Sequence, residues 1–345
     1  MRSEVQRGVH TNDGIVLVMV LFFVLLLASA MATFMRRVAV DAGIAQNRDR
    51  AQQAESLARG GIRLAEAILL EDVRTKGEQA GPDTRHDLWA RASNVDLIPD
   101  DPDIDLQLQI EDAAARINLN GFLEKGAVPE KARTDLEALF AGVIGSMSGR
   151  PEELLYDPLE LALNLADWID ENEVSADGAP EDERYAKLDP PYRPANRPLL
   201  SVDELRLIEG FDGRLVEALK QFVTVHPLVG GGGVNLNTAQ PWVLMKLQRG
   251  TEVSGFRPFD EKLVRRIVEA REEGPLCAGA DAVGNCTPLS ELLEGDDEIA
   301  PPPTERSQVF VVTAVARVVD VERRIEAVID RSAEGYPQRL SWRVD

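Results

Sequence analysis

The side chains that could do chemistry in this sequence are mainly carboxylates. Between Pro151 and Pro190 stand 13 Asp or Glu against only Arg184 and Lys187, a formal charge of −11 in one segment. Its centre, Asp167 to Tyr185 (DWIDENEVSADGAPEDERY), is poor in aliphatic residues and carries Gly178 and Pro180, which predicts a loop. A folded loop of that charge density either stays solvated or recruits a hard cation. Ca²⁺ takes about 6–8 oxygen ligands, and Asp, Glu and Asn at these spacings can supply them. The candidate ligands are Asp167, Asp170, Glu173, Glu181 and Asp182. The register is not that of an EF-hand, because the sixth position counted from Asp170 is Ser175 where that loop needs Gly. Paired carboxylates can also perform acid–base chemistry on glycosides, but no aromatic sugar platform accompanies these.

Other reactive groups are sparse. Three histidines (His10, His86 and His226) and no HExxH or GxSxG pattern leave little for histidine-dependent catalysis. Cys277 and Cys286 are too few for a cysteine-rich zinc site and stand either as a bridge or as two free thiols. With 38 basic and 59 acidic residues the net charge is −21, which opposes binding to a phosphate backbone. The 28% charged and 44% apolar residues are ordinary for a folded chain, and 345 residues allow two or three globular units at roughly 150 residues each.

The elements that must position these groups begin with a membrane-length helix. Ile15 to Met35 is a run of 21 residues without a charge, enough at ~1.5 Å per residue to cross a hydrocarbon core of ~30 Å. It is longer than the apolar core of a cleaved secretory signal, and Arg36-Arg37 follow where a small-residue cleavage site would stand. Read by the positive-inside rule alone, those arginines place the C-terminal part in the cytoplasm. Beyond the run, Ile44, Ala51, Ala54, Leu57, Ala58, Ile62, Ala65 and Leu69 recur at helical spacing. One helix from about Ile15 to about Leu70 is therefore predicted, with bends possible at Gly43, Gly60 and Gly61. Its Ala-rich stripe can cover the protein's own sheet or a neighbouring helix.

Apolar–polar alternation predicts strands at about 104–118 and 308–344, the latter including a hairpin across Asp320. Between them the patterns are mostly helical. The economical plan is α+β: an antiparallel sheet packed on the long N-terminal helix and interrupted by a large helical insertion. The insertion reads as a duplication. Ile117-Asn118-Leu119-Asn120 precedes a helix over Glu130–Ile144; Val234-Asn235-Leu236-Asn237-Thr238 precedes helices over Trp242–Leu247 and Glu261–Arg271. A Pro-Leu-Leu-Ser-Val-Asp-Glu-Leu segment at 198–205 has a counterpart at 288–292, and Gly230–Gly233 reads as a flexible joint. Leu205–Leu219 predicts a helix–hairpin–helix, a module that can meet phosphate through hairpin amides, but Glu209 and Asp212 would repel it.

Two sets of residues carry a family resemblance. Thr11-Asn12-Asp13-Gly14 leading directly into the apolar run resembles a type IV pilin-like leader, cut by a prepilin peptidase between Gly14 and Ile15. Asp167-Trp168-Ile169-Asp170, the segment Asp189–Pro198, Ser201–Arg206 and the two Asn-Leu-Asn segments resemble the type II secretion minor pseudopilin K family, from the leader to about Val328. Met19 stands where pilin-like proteins usually carry Glu, as suits a subunit with nothing above it to pair with.

The resemblance implies a pseudopilin fold: leader 1–14, membrane helix 15–35, its periplasmic continuation 36–75, a sheet from 76–121 and 304–345, a first helical unit with the acidic loop over 122–229, and a second over 230–303. It implies a single-pass inner-membrane protein with a periplasmic C-terminal domain, non-enzymatic, at the tip of the pseudopilus. The partners implied are minor pseudopilins I and J, with H and the major pseudopilin, and the prepilin peptidase, but no nucleic acid. It also implies calcium in the acidic loop. In an oxidising periplasm Cys277 and Cys286 are expected to form a disulfide worth about 2–3 kcal/mol. The rival readings are a membrane-anchored DNA receptor built on the helical hairpins and an extracytoplasmic hydrolase using Asp167 and Asp170.

Overall fold

The computed structural model describes residues 13–76, 81–93, 95–97, 101–147, 156–175, 178–230, 233–277, 286–293, 297–332 and 335–344. Helix α1 (Asp13–Lys76) runs 64 residues without interruption, past the predicted end near Leu70. From Ile15 onward its first half exposes every apolar side chain, and it is long and apolar enough to cross a membrane. Its second half buries Ala54, Ala58, Ile62, Ala65 and Leu69 completely. The stripe covers the protein's own sheet and starts later than the periodicity indicated, since Ile44 stays 46% exposed. At Gly61 a Cβ would lie 3.1 Å from Ala314 Cβ and 3.2 Å from Leu106 Cδ1, so the glycine admits close approach of helix to sheet.

After α1 come the single turn α2 (Leu88–Arg91), β1 (Val95–Asp96) and β2 (Ile104–Asp112). The chain then leaves for the insertion. The first unit holds β3 (Ile117–Asn118), α3 (Glu130–Ile144), α4 (Pro158–Ile169), α5 (Asp182–Tyr185), α6 (Gly213–Leu219) and β4 (Val223–Thr224). The second holds β5 (Val234–Asn235), α7 (Pro241–Leu244), β6 (Gln248–Thr251), β7 (Gly255–Pro258), α8 (Glu261–Glu273), β8 (Leu276–Cys277), β9 (Thr287–Pro288), β10 (Glu298–Ala300) and β11 (Pro303–Thr304). The chain returns through β12 (Val309–Val318), β13 (Val321–Asp330) and β14 (Gln338–Val344). The main sheet is antiparallel in the order β1-β2-β12-β13-β14, with Ala314 opposite both Leu108 and Ile325. Strands distant in sequence, β2 and β12, are thus neighbours, and the insertion hangs between them.

Three expectations need correction. Ile117–Asn118 does not extend the main sheet but pairs in parallel with Val223–Thr224 inside the insertion. The first arm of the Leu205–Leu219 motif is a 3-10 turn over Val202–Leu207, because Ser201 caps it and the chain turns away at Ile208. The two units are not separate bodies on a glycine joint: one apolar core runs through both, from Leu136 and Phe140 through Leu165 and Leu215 to Leu244 and Ile267. Gly231 and Gly232 themselves lie outside the described residues.

The duplication has a clear physical counterpart. The Asn120 side chain accepts from the Leu199 N–H at 2.8 Å and donates to the Leu199 carbonyl at 2.9 Å, imitating a strand partner. Asn237 does the same to Leu276, at 2.7 and 3.0 Å. Each Asn-Leu-Asn strand also pairs in parallel near the end of its unit, β3 with β4 and β5 with β11. An amide side chain is the group that can serve as donor and acceptor to one peptide at once, which explains the repeated asparagines.

Candidate functional site

The acidic segment is built at the C-terminal end of α4. Asp157 caps the helix through the amides of Leu159 and Glu160, with Pro158 at its first position. Asp167 therefore stands on the last turn of a helix, not in the loop the composition predicted. Asp170 is the C-terminal boundary residue; its carboxylate accepts from Asn172 N and Nδ2. The chain then makes a tight excursion, with Val174 bridged to Pro180, Ser175 N donating to the Ala179 carbonyl at 2.9 Å, and Glu181 N donating to the Glu173 carbonyl at 3.3 Å. Asp182–Tyr185 form a helical turn where a continuous loop was expected. Ala176 and Asp177 lie outside the described residues.

Glu181 is the centre of this arrangement. Its residue is 3% exposed, yet neither carboxylate oxygen has a hydrogen-bond partner among the described residues. Burial, together with the charges of Asp170, Asp167, Asp182 and Glu173, pushes its carboxyl up to about 7. The four residues acting on it are thus the other four candidate ligands. Burial likewise raises Asp170 against the hydrogen bonds from Asn172 and the charge of Arg133. Asp182 is half engaged, 3.5 Å from Arg193 Nε. A buried carboxylate without donors, ringed by four others, has the donor chemistry of a hard-cation site. The loop oxygens are not drawn together in threes to within 4.8 Å; among the described residues the set that is comprises Asp72, Asp83 and Asp87.

That second cluster has different chemistry, because two cations already hold its three carboxylates. Lys76 Nζ lies 2.6 Å from Asp83 Oδ1 and 3.3 Å from Asp72 Oδ2, and Arg331 contacts Asp72 at 2.9 Å and Asp83 at 2.5 Å. Burial would raise Asp83, but Arg331 and Lys76 outweigh it and hold the carboxyl below the usual range. Sequence reasoning missed this network. Its members are scattered from Asp72 to Arg331, and the available signal was the i,i+4 pair of Asp72 and Lys76 at the end of α1.

The remaining candidates fall apart spatially. Gly14 and Ile15 lie in the first turn of α1, at the far end from the insertion. Cys277 and Cys286 are bonded, with Cα atoms 5.8 Å apart, and close the β8–β9 pair. In the helical hairpin, Asp212 caps α6 by accepting from the Leu215 amide at 2.8 Å, so the amides a phosphate would need are occupied. Trp168 meets Tyr185 and Tyr192 edge-on, the two tyrosine rings are tilted at 34° to each other, and all three are largely buried, so they present no sugar platform.

Comparison with known proteins agrees with this architecture. Residues 115–228 match the family described as type II secretion system (T2SS), protein K. The chain is 33% identical over 241 residues to a type II secretion system protein K of Pseudomonas aeruginosa, covering 68% of this chain and 67% of that protein. It is 29% identical over 275 residues to its counterpart in Klebsiella pneumoniae, covering 76% of each. Among solved structures, the crystal structure of the GspK-GspI-GspJ complex from the enterotoxigenic Escherichia coli type 2 secretion system holds a chain similar in fold. The TM-score is 0.62 at 19% identity, covering 87% of this chain and 99% of that one.

Proposed function

The chain belongs to the type II secretion system protein K family, and on that premise we propose that it is a non-enzymatic minor pseudopilin that caps the pseudopilus and acts with pseudopilins I and J. The observation that carries this reading is α1, a single 64-residue helix whose apolar half is wholly exposed and whose other half forms one wall of the soluble core. Such a helix transmits the position of the anchor directly to the head. The insertion between β2 and β12 supports the tip position, because a head enlarged on that scale would clash if stacked within a tight helical filament but not at its end. In this reading the anchor lies in the inner membrane, the head is periplasmic, and the leader is removed between Gly14 and Ile15. The Cys277–Cys286 disulfide suits an oxidising compartment.

Calcium belongs to the same proposal. Glu181, Asp170, Asp167, Glu173 and Asp182 would hold it; the cation would neutralise their mutual repulsion and tie the end of α4 to α5. What supports the reading is the buried, donorless Glu181 carboxylate.

Purification of the tagged full chain from a secreting cell tests the assignment. Pseudopilins I and J should co-elute in stoichiometric amounts, and mass spectrometry should find Ile15 at the N-terminus. Recovery of the head as a solitary molecule, or a reporter fused to the C-terminus that is active only in the cytoplasm, would overturn it.

A further inference from the structure

Among the described residues the head has two large apolar cores and one small cluster of Ala113, Val309 and Val328 beside the end of β2. One large core lies between α1 and the main sheet, centred on Ile62, Leu69, Leu108 and Phe310; the other fills the insertion, centred on Phe140, Leu165 and Leu244. The two large cores are not continuous, and apolar contact, that of the small Ala113–Val309–Val328 cluster included, is non-directional, so directional polar contacts across the seam are what can set the angle between them.

The seam is polar and specific. Asp112, at the end of β2, is 3% exposed. Its Oδ2 accepts from Thr238 Oγ1 at 2.5 Å, Ser307 Oγ at 2.6 Å and Asn235 Nδ2 at 3.3 Å, while Oδ1 accepts from the Ala114 amide at 2.8 Å. Asn235 Nδ2 also donates to the Asp83 carbonyl at 3.0 Å and to Ser307 Oγ at 3.0 Å. Asp83 in turn is held by Lys76 of α1 and by Arg331 beyond β13, and accepts from the Ser307 amide. A continuous path of hydrogen bonds and ion pairs thus runs from α1 to the insertion.

The internal duplication provides the control. Asn118 is the counterpart of Asn235, and its Nδ2 donates to Pro227 within its own unit. Asn235 instead reaches out of its unit to three partners on the sheet side of the seam.

We propose that Asn235 and Thr238, gripping Asp112 and the Asp83 backbone, are positioning residues that latch the insertion at one orientation to the anchored helix α1. The latch acts beside the Arg85 guanidinium, which donates to the Thr238 carbonyl at 3.0 Å across the same seam, and its side-chain contacts narrow the angle at which the surfaces of the insertion are presented to the membrane. The latch holds whether or not the loop takes a cation and whichever partners the head meets, so its test and those above fail separately.

The test uses the full chain in detergent micelles, with its native disulfide kept. Spin labels are placed at exposed positions by Arg63→Cys on α1 and Lys262→Cys on α8, and their separation is read by pulsed electron resonance. A control pair, Arg63→Cys with Glu322→Cys, lies within the α1–sheet body. The combined Asn235→Ala/Thr238→Val substitution should at least double the width of the Arg63–Lys262 distribution and leave the control pair unchanged. Thr238→Ser, which keeps the hydroxyl, should leave both narrow. Thr238→Val alone serves as the milder variant if the combined one does not accumulate. An Arg63–Lys262 distribution as narrow as in the parent overturns the latch, as does broadening of both pairs together, which would mark general loss of structure.

Discussion

Glu181 illustrates how one side chain can report on its surroundings. Isolated in water it would be an ordinary glutamate, titrating near 4.5; burial and four neighbouring carboxylates lift it to about 7. A carboxyl raised on folding binds its proton more tightly in the folded state, so without a cation its contribution to stability falls as pH rises from about 4.5 to about 7. Glu181→Gln should remove that slope, raise the melting temperature of chelator-treated protein above neutral pH, and diminish the increase that added calcium gives the parent. Calorimetry across that range, with chelator and with calcium, checks it; a parent whose midpoint is indifferent to both pH and calcium contradicts the site. The buried carboxylates differ in their compensation: Asp83 has Lys76 and Arg331, Asp112 has four hydrogen-bond donors, and Glu181 has none among the described residues.

At the scale of elements, adjacent glycines on α1 predict opposite outcomes. A Cβ at Gly60 meets nothing within 4 Å, whereas one at Gly61 presses on Ala314 and Leu106. Gly60→Ala should stabilise by about 0.5–1 kcal/mol through helix propensity. Gly61→Leu should destabilise by about 1–3 kcal/mol through overpacking against β2 and β12. Denaturant midpoints of the two variants measure both. The β8–β9 pair makes a second case: Cys277→Ser should lower stability by about 2–3 kcal/mol, the loop entropy released when the bridge is lost. Thermal unfolding with and without reductant gives the comparison, and reductant should leave the variant unchanged.

At the scale of the molecule, charge decides which partners are feasible. A net charge of −21 repels nucleic acid at every distance the salt does not screen. The helical hairpin that could have offered amides to phosphate has spent them on the Asp212 cap. The full chain should therefore give no salt-dependent shift with duplex DNA in a mobility assay, and a shift that weakens with added salt would reopen that function. The exposed half of α1 and the continuous helix beyond it instead favour lipid and neighbouring helices as the surroundings of the anchor.

The extent to which this was legible in the sequence follows from the range of the interactions. Helix α1, the β12–β13 hairpin and the Glu130–Ile144 helix could be read directly, because hydrophobic period is a local property and each segment carries its own. The five acidic residues could be nominated from composition, and the Asn-Leu-Asn repeat could be seen. What those asparagines do could not be read. The partners of Asn120 and Asn237 lie 79 and 39 residues away, and Asn235 reaches 152 residues back to Asp83. Directional hydrogen bonds leave no period in the chain, and buried charge is revealed only when burial is known. Sequence thus determined the anchor, the sheet and the family to which the chain belongs. Tertiary structure alone decided that two helical units share one core, that Glu181 and Asp170 are the buried carboxyls of the acidic segment, and that a polar seam joins the insertion to the sheet and α1, because each depends on distances between residues the chain brings together only on folding.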